Sequence, residues 1–281
     1  MTTTNRRNLL TAGLALSAIA VPTAAAASQS SGKEPVMERV ARTGELRLGA
    51  VAGGAPFTYK DIASGEWRGF CVDFAKDIAA TFGANLKIVE TTWGNAVLDL
   101  EADKIDLFFG MSPTPKRALV VDFCNSLFMS AFAMIRKKGF EGKDWVELND
   151  PSVTIAVDVG SSHDQIVTRL CPNAKVLRFK SVDEGVAAVQ AGRADCQIVD
   201  VFLALTMVQK NPQLGKLTVP QPAYGASTNG GFRREDRATW RDFVNVWINY
   251  QKNIGGIREI VVKNMEAIGV SASTIPEGLD L

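Results

Sequence analysis

Between positions 110 and 117 the chain reads Gly-Met-Ser-Pro-Thr-Pro-Lys-Arg, a run of residue types that can hold an anion. Ser112 and Thr114 supply hydroxyls, two prolines stiffen the turn, and Arg117 supplies a planar, permanently charged fork. Such a fork suits a carboxylate held through two parallel hydrogen bonds. The apolar run Ile105 to Phe109 reads as a buried strand, which Gly110 ends where backbone must approach something closely. The same residues also fit a plain Ser/Thr-Pro turn whose arginine pairs with a structural acid. On their own they do not decide between the two.

Two further stretches carry groups of the same kind. Gly160-Ser161-Ser162 stands between an expected strand and an expected helix, where free N–H groups and the helix dipole favour an anion. Ser162 also fits a helix cap. Asp200 follows the apolar strand Cys196 to Val199 and begins a helix containing Phe202, Leu203 and Leu205, so it too can be a cap. Ser161, Ser162, His163 and Asp164 are adjacent, but a nucleophilic triad needs side chains converging from separate elements. No Gly-x-Ser-x-Gly elbow and no phosphate-binding Gly-x-x-x-x-Gly-Lys-Ser/Thr loop is present.

The elements that position these groups alternate. Leu46 to Val51 reads as a strand, Phe70 to Phe82 as a helix with Gly83 as its stop, and Leu86 to Val89 as a strand. Asn95 to Ala102 reads as a helix before the strand at Ile105. The pattern restarts with a strand at Val153 to Val157, a helix at Ser162 to Cys171 and a strand at Val176 to Phe179. A helix at Val182 to Gln190 and the strand Cys196 to Val199 complete it. Two βαβαβ units imply two α/β lobes. Towards the C-terminus, Trp240, Phe243, Val244, Trp247 and Ile248 form one apolar helical stripe, and Ile257, Ile260, Val261, Met265 and Ile268 another. Both are expected to serve packing rather than a cofactor.

The N-terminus carries Arg6-Arg7 before an apolar run from Leu9 to Val21 and an alanine-rich stretch. This predicts an export signal over residues 1–27, twin-arginine-like, cleaved near Ala26 to Ser31, and hence a periplasmic protein. A general secretory signal and an uncleaved anchor are the alternatives. The whole chain has 31 Lys+Arg against 30 Asp+Glu, so losing Arg6 and Arg7 leaves it near neutral. That argues against nucleic acid or an anionic membrane as a bulk partner. Arg136-Lys137-Lys138 and Arg233-Arg234 are expected to be solvated element ends. Cys71, Cys124, Cys171 and Cys196 contain no Cys-x-x-Cys pair, and the single histidine is distant in sequence, so no zinc site is expected. Lobe-wise disulfides and four buried thiols both remain open.

The segment from Gly110 to Phe123 resembles the signature of the family 3 extracellular solute-binding proteins of ABC importers. The order of Gly49 to Phe57, Gly65 to Asp73, Trp93, Lys104-Ile105-Asp106, Gly160-Ser161-Ser162 and Ala191 to Asp200 resembles the same family, covering nearly all of the chain after residue 34. The resemblance implies a type II periplasmic-binding fold, with a hinge of two crossing segments near Leu127 to Ser130 and near Pro220 to Ala226. It also implies a ligand cleft between the lobes: 34–128 as the first, 129–226 as the second, and 227–281 returning to the first. The ligand would be an amino-acid-like zwitterion, whose anion and cation each need a partner once out of water. Arg117 with Ser161 and Ser162 would take the carboxylate. Asp200 would take the ammonium, with the Ser112 hydroxyl and the Gly110 carbonyl completing that pocket. Trp93 would supply an aromatic wall, with Phe57 and Tyr224 as weaker candidates.

Departures from the family pattern bear on the ligand. Val51 and Gly54 stand where several binders of basic amino acids carry an acid and an aromatic, and Asn95-Ala96-Val97 stands where glutamate/aspartate binders carry an arginine. Asp158 would face the ligand side chain and disfavour an anionic one. A polar or neutral amino acid is therefore expected, bound without metal or cofactor by a monomer that delivers it to a membrane ABC permease. The alternatives are a periplasmic cyclohexadienyl or arogenate dehydratase on the same fold, using Asp158, His163 or Asp200 as general acid, and a sensor module for a membrane receptor.

Overall fold

The computed structural model describes residues 32–214 and 217–271; the expected signal segment 1–27, its cleavage region and residues 272–281 lie outside these. Helix α1 (Val36–Thr43) leads into strand β1 (Glu45–Ala50). A small antiparallel sheet of β2 (Gly53–Gly54), β3 (Thr58–Lys60) and β4 (Trp67–Arg68) follows. Helix α2 (Phe70–Thr81) forms where Phe70, Phe74 and Ile78 recur on one buried face. It begins after Gly69, whose φ is 118° and where a Cβ would lie 2.3 Å from the Phe57 carbonyl oxygen. Only glycine fits there. β5 (Asn85–Glu90), α3 (Ala96–Glu101), β6 (Phe108–Met111), a single 3-10 turn at Arg117–Leu119 and β7 (Val121–Phe123) complete the first group of elements.

The long strand β8 (Phe128–Arg136) opens the second group. It continues through α4 (Trp145–Leu148), β9 (Thr154–Asp158), α5 (Ser162–Leu170), β10 (Lys175–Phe179), α6 (Val182–Gln190), β11 (Cys196–Asp200) and α7 (Val201–Lys210). The chain then returns along β12 (Gly225–Arg233) to helices α8 (Thr239–Asn253) and α9 (Gly256–Ala267). The expected helix and strand types hold, with ends shifted by a residue or two except at the start of β6.

Two sheets organise these groups. In the first, β5 and β1 run parallel, a Leu48–Leu107 bridge ties β1 to the chain entering β6, and β6 and β7 flank β12 antiparallel. In the second, β10, β9 and β11 run parallel and β8 lies antiparallel against β11. β12 belongs to both: Gly225 to Thr228 pair with Ala131 to Phe128 of β8, and Asn229 to Arg233 pair with β6 and β7. The molecule is thus two α/β lobes, crossed between by β8 and β12. Rings from both meet at the seam: Phe202, in the first turn of α7, lies 6.2 Å from Phe70 and 5.4 Å from Phe128 between centroids. Such aromatic contacts stabilise beyond the area they bury.

Three readings change. The strand expected over Ile105 to Phe109 instead spans Phe108–Met111. Asp106 is fully buried and serves as an anchor: its carboxylate pairs with Arg39 and, at 2.7 Å, with Arg47, while its carbonyl accepts Trp240 Nε1–H at 3.2 Å. Gly110 therefore lies inside the strand at φ 90°, opposite the register shift between Asn229 and Gly230. Arg233 is not a solvated element end but is buried, pairing with Glu235 at 3.2 Å and Asp103 at 3.5 Å. The cap of α5 is Ser161 rather than Ser162, because Ser161 holds the extended backbone of a cap and its Oγ accepts from Asp164 N. All four cysteines are free and buried.

Candidate functional site

Where the lobes face each other, a cavity holds about 430 Å³ of atom-free space, part of it open to solvent. Of the residues singled out from sequence, Phe57, Trp93, Gly110, Ser112, Arg117, Ser161, Ser162 and Asp200 all line it. Asp158 does not. Tyr224 stands apart, partly exposed and packed against Trp145.

Arg117 is placed by the 3-10 turn that the prolines lead into, and its own N–H donates to Thr114 Oγ1 at 3.3 Å. Only 8% of it is exposed. Nη1 donates to the Ser112 carbonyl at 2.9 Å, and Nη2 reaches across the cleft to the Gly160 carbonyl at 3.1 Å. Among the described residues no carboxylate pairs with it. Burial draws its pKa down to about 10, so it stays protonated at neutral pH. A buried, hydrogen-bonded cation without a counter-charge calls for an anion.

Facing it is the start of α5. Ser161 is occupied structurally, its Oγ donating to the Asp158 carbonyl at 2.7 Å and accepting from Asp164 N at 3.1 Å. Asp164 in turn accepts from Gly160 N at 3.1 Å and pairs with Arg178 at 2.9 Å. That leaves Ser162, with a first-turn N–H that no helical carbonyl reaches, directed to the cavity lining. An anion there meets a guanidinium on one side and a helix N-terminus on the other.

Asp200 ends β11 and caps α7, its Oδ1 accepting from Phe202 N at 2.8 Å and its Oδ2 from the Ser130 hydroxyl. Burial raises its pKa to about 6, against the hydrogen bonds that lower it. The carboxylate is mostly ionised at neutral pH yet has no cationic partner among the described residues. Gly110 shapes the wall between, since a Cβ at its φ of 90° would meet the Phe57 ring at 3.0 Å and the Trp93 ring at 3.5 Å. Trp93 stands edge-on to Phe57 at 5.9 Å and to Phe108 at 5.5 Å.

Asp158 is enclosed in the fold and is not among the cavity's lining residues. It is 1% exposed, neither carboxylate oxygen has a hydrogen-bond partner, and burial with Asp183 and Glu184 nearby raises its pKa to about 7. Sequence reasoning missed Phe132, Leu203, Ala226 and Thr228, which complete the lining, and weighed His163 only as a catalytic acid. Their patterns resemble ordinary inward-facing positions, so no local signal distinguishes them. No group of metal-ligating side chains occurs among the described residues, and none of their helices is long and apolar enough to cross a membrane.

Two lobes sharing a crossing strand, with a cation and an acid on opposite walls of the cleft, define a ligand-binding protein of the periplasmic-binding type. Residues 46–267 match the bacterial extracellular solute-binding proteins, family 3, and the chain belongs to that family. It is similar to the ABC transporter glutamine-binding protein GlnH of Bacillus subtilis, 31% identical over 182 residues, which cover 62% of this chain and 66% of that protein. It is also similar to the cyclohexadienyl dehydratase of Pseudomonas aeruginosa, 23% identical over 237 residues, covering 83% and 87%. Among solved structures, the solute receptor for L-cysteine of Neisseria gonorrhoeae superposes with a TM-score of 0.77 at 25% identity, covering 87% of this chain and 99% of that one.

Proposed function

We propose that this chain is the exported substrate-binding protein of an ABC importer and captures a small amino-acid zwitterion by closing its two lobes. The observation that carries this reading is Arg117, buried without a carboxylate and aimed with the α5 N-terminus into a cavity whose other wall holds Asp200. The ligand carboxylate would sit between Arg117 and Ser162, and its ammonium against Asp200. Residues 34–128 and 227–281 would move as one lobe and 129–226 as the other, with a membrane permease as the receiver. The decisive experiment is a thermal-shift screen of the purified mature chain against amino acids and related carboxylates. A ligand at a hundred times its dissociation constant adds about 2.7 kcal/mol of stability. No shift with any amino acid would overturn the reading.

A second reading is supported by one feature. Asp200 sits in the cavity with a pKa of about 6, within the range of a general acid, and one relative is named a cyclohexadienyl dehydratase. Prephenate or arogenate consumed with rising aromatic absorbance would make the chain an enzyme; unchanged substrate leaves it a binding protein.

A further inference from the structure

If the zwitterion reading holds, Arg117 and Asp200 are engaged by the ligand's main-chain groups, and no other charged residue lines the cavity. Besides the Ser112, Ser162 and Thr228 hydroxyls, two polar ring groups stand on its walls. Trp93 Nε1 and His163 Nδ1 are both shielded from solvent, and neither has a hydrogen-bond partner. They come from different lobes: Trp93 precedes α3, and His163 is in the first turn of α5. His163 is 5% exposed and stands edge-on to Phe132 at 5.9 Å and 89°. Burial, aided by the Arg117 charge, lowers its pKa to about 3, so the imidazole is neutral at any physiological pH. A neutral imidazole offers one donor and one acceptor, and an indole offers a donor only. Buried groups of this kind are ordinarily paired.

We infer that Trp93 and His163 read the ligand's side chain, and that the ligand is an α-amino acid whose uncharged side chain both accepts and donates hydrogen bonds. A hydroxyl or a carboxamide meets that description: its oxygen accepts from the indole N–H, and its O–H or N–H donates to the ring nitrogen. A charged side chain would enter the cavity without a counter-charge. A purely apolar one would leave both groups unpaired, the circumstance in which sites built for hydrogen bonding discriminate most strongly. Phe57, Phe132 and Leu203 would pack against its carbon atoms.

The test compares near-isosteric pairs by calorimetry on the full mature chain: L-threonine with L-valine, L-serine with L-2-aminobutyrate, and L-asparagine with L-leucine. In the wild type, at least one polar member should bind about tenfold or more tighter than its partner. His163→Phe and, separately, Trp93→Phe should bring that ratio towards one, and His163→Asn should restore part of it. Apolar partners binding as well, charged amino acids binding tightest, or a ratio that survives both variants would overturn the inference. The wild-type panel decides even where a variant fails to fold. Should the amino acids bind through Arg117, as shown by loss in Arg117→Ala, but without polar preference, this inference alone fails. Should none bind, the zwitterion reading fails with it.

Discussion

Replacing Asp158 with Asn should make the protein more stable at alkaline pH. Its carboxyl is buried, unpartnered, and held at about 7 against an ordinary value of 3.8. The folded state thus binds this proton more tightly than the unfolded state does. The resulting penalty is absent below pH 3.8, grows between there and 7, and is complete above 7. Holding a carboxyl from its ordinary 3.8 up to about 7 costs its charged form about 4 kcal/mol. Asn keeps the shape without the charge, but leaves a buried amide unpaired at a cost of ~1–3 kcal/mol. The net gain is therefore about 1–3 kcal/mol, or roughly 3–9 °C in Tm for a chain of this size. The assay is calorimetric unfolding of wild type and Asp158→Asn at pH 8 and pH 5. The difference should be large at pH 8 and shrink or reverse at pH 5, where wild-type Asp158 is protonated in the fold. A variant less stable at pH 8, or a difference that ignores pH, would show that the carboxylate is paired or solvated. Ligand affinity should be unaltered, since Asp158 is not part of the cavity lining.

Arg117→Ala should weaken amino-acid binding by ~2–5 kcal/mol with the fold intact, and Arg117→Lys should restore little, because a point charge cannot reproduce the fork; isothermal titration distinguishes these. Affinity for a zwitterion should be flat above about pH 7 and fall up to tenfold per unit below about pH 6, as protons compete with the ligand ammonium for Asp200. Asp200→Asn should flatten that profile and weaken binding of an amino acid more than of its deaminated analogue. Asp106→Ala should destabilise the protein by ~3–5 kcal/mol by stranding Arg39 and Arg47, read as a fall in the denaturation midpoint.

How much of this was legible beforehand depended on whether a feature was local. The α2 stripe, the α6 span and the break at Gly255 follow from periodicity and turn chemistry, which neighbouring residues set. The start of β6 was misplaced because Asp106 is bound by Arg39, Arg47 and Trp240, partners as far as 134 residues away. Either serine at 161 and 162 can cap a helix, and only the backbone dihedrals of Ser161 decide which does. Arg117 and Asp200 both line the cavity, but their own neighbours fit a plain turn and a helix cap equally well, and only the family resemblance singled them out for a ligand. Asp158 follows a strand in the same way, yet it is not part of the cavity lining, and the charges of Asp183 and Glu184 help to raise its pKa. Which side of a strand end meets a cleft is a property of packing, and His163 could not be recognised as a wall for the same reason.

The pairing of β8 with β12 has a consequence for how such molecules can be rebuilt. Phe128, where the chain leaves the first sheet, and Thr228, where it comes back, are direct partners in one antiparallel ladder. Their Cα atoms are therefore about 5 Å apart, as in any such pair. Everything between them is an insert whose two ends are already spliced side by side. A replacement segment needs only to begin and finish in two neighbouring strands, without stretching the host. One side of the cavity lining, including Asp200 and the first turn of α5, can then be transplanted as one cassette while Arg117 and the aromatic wall stay in place.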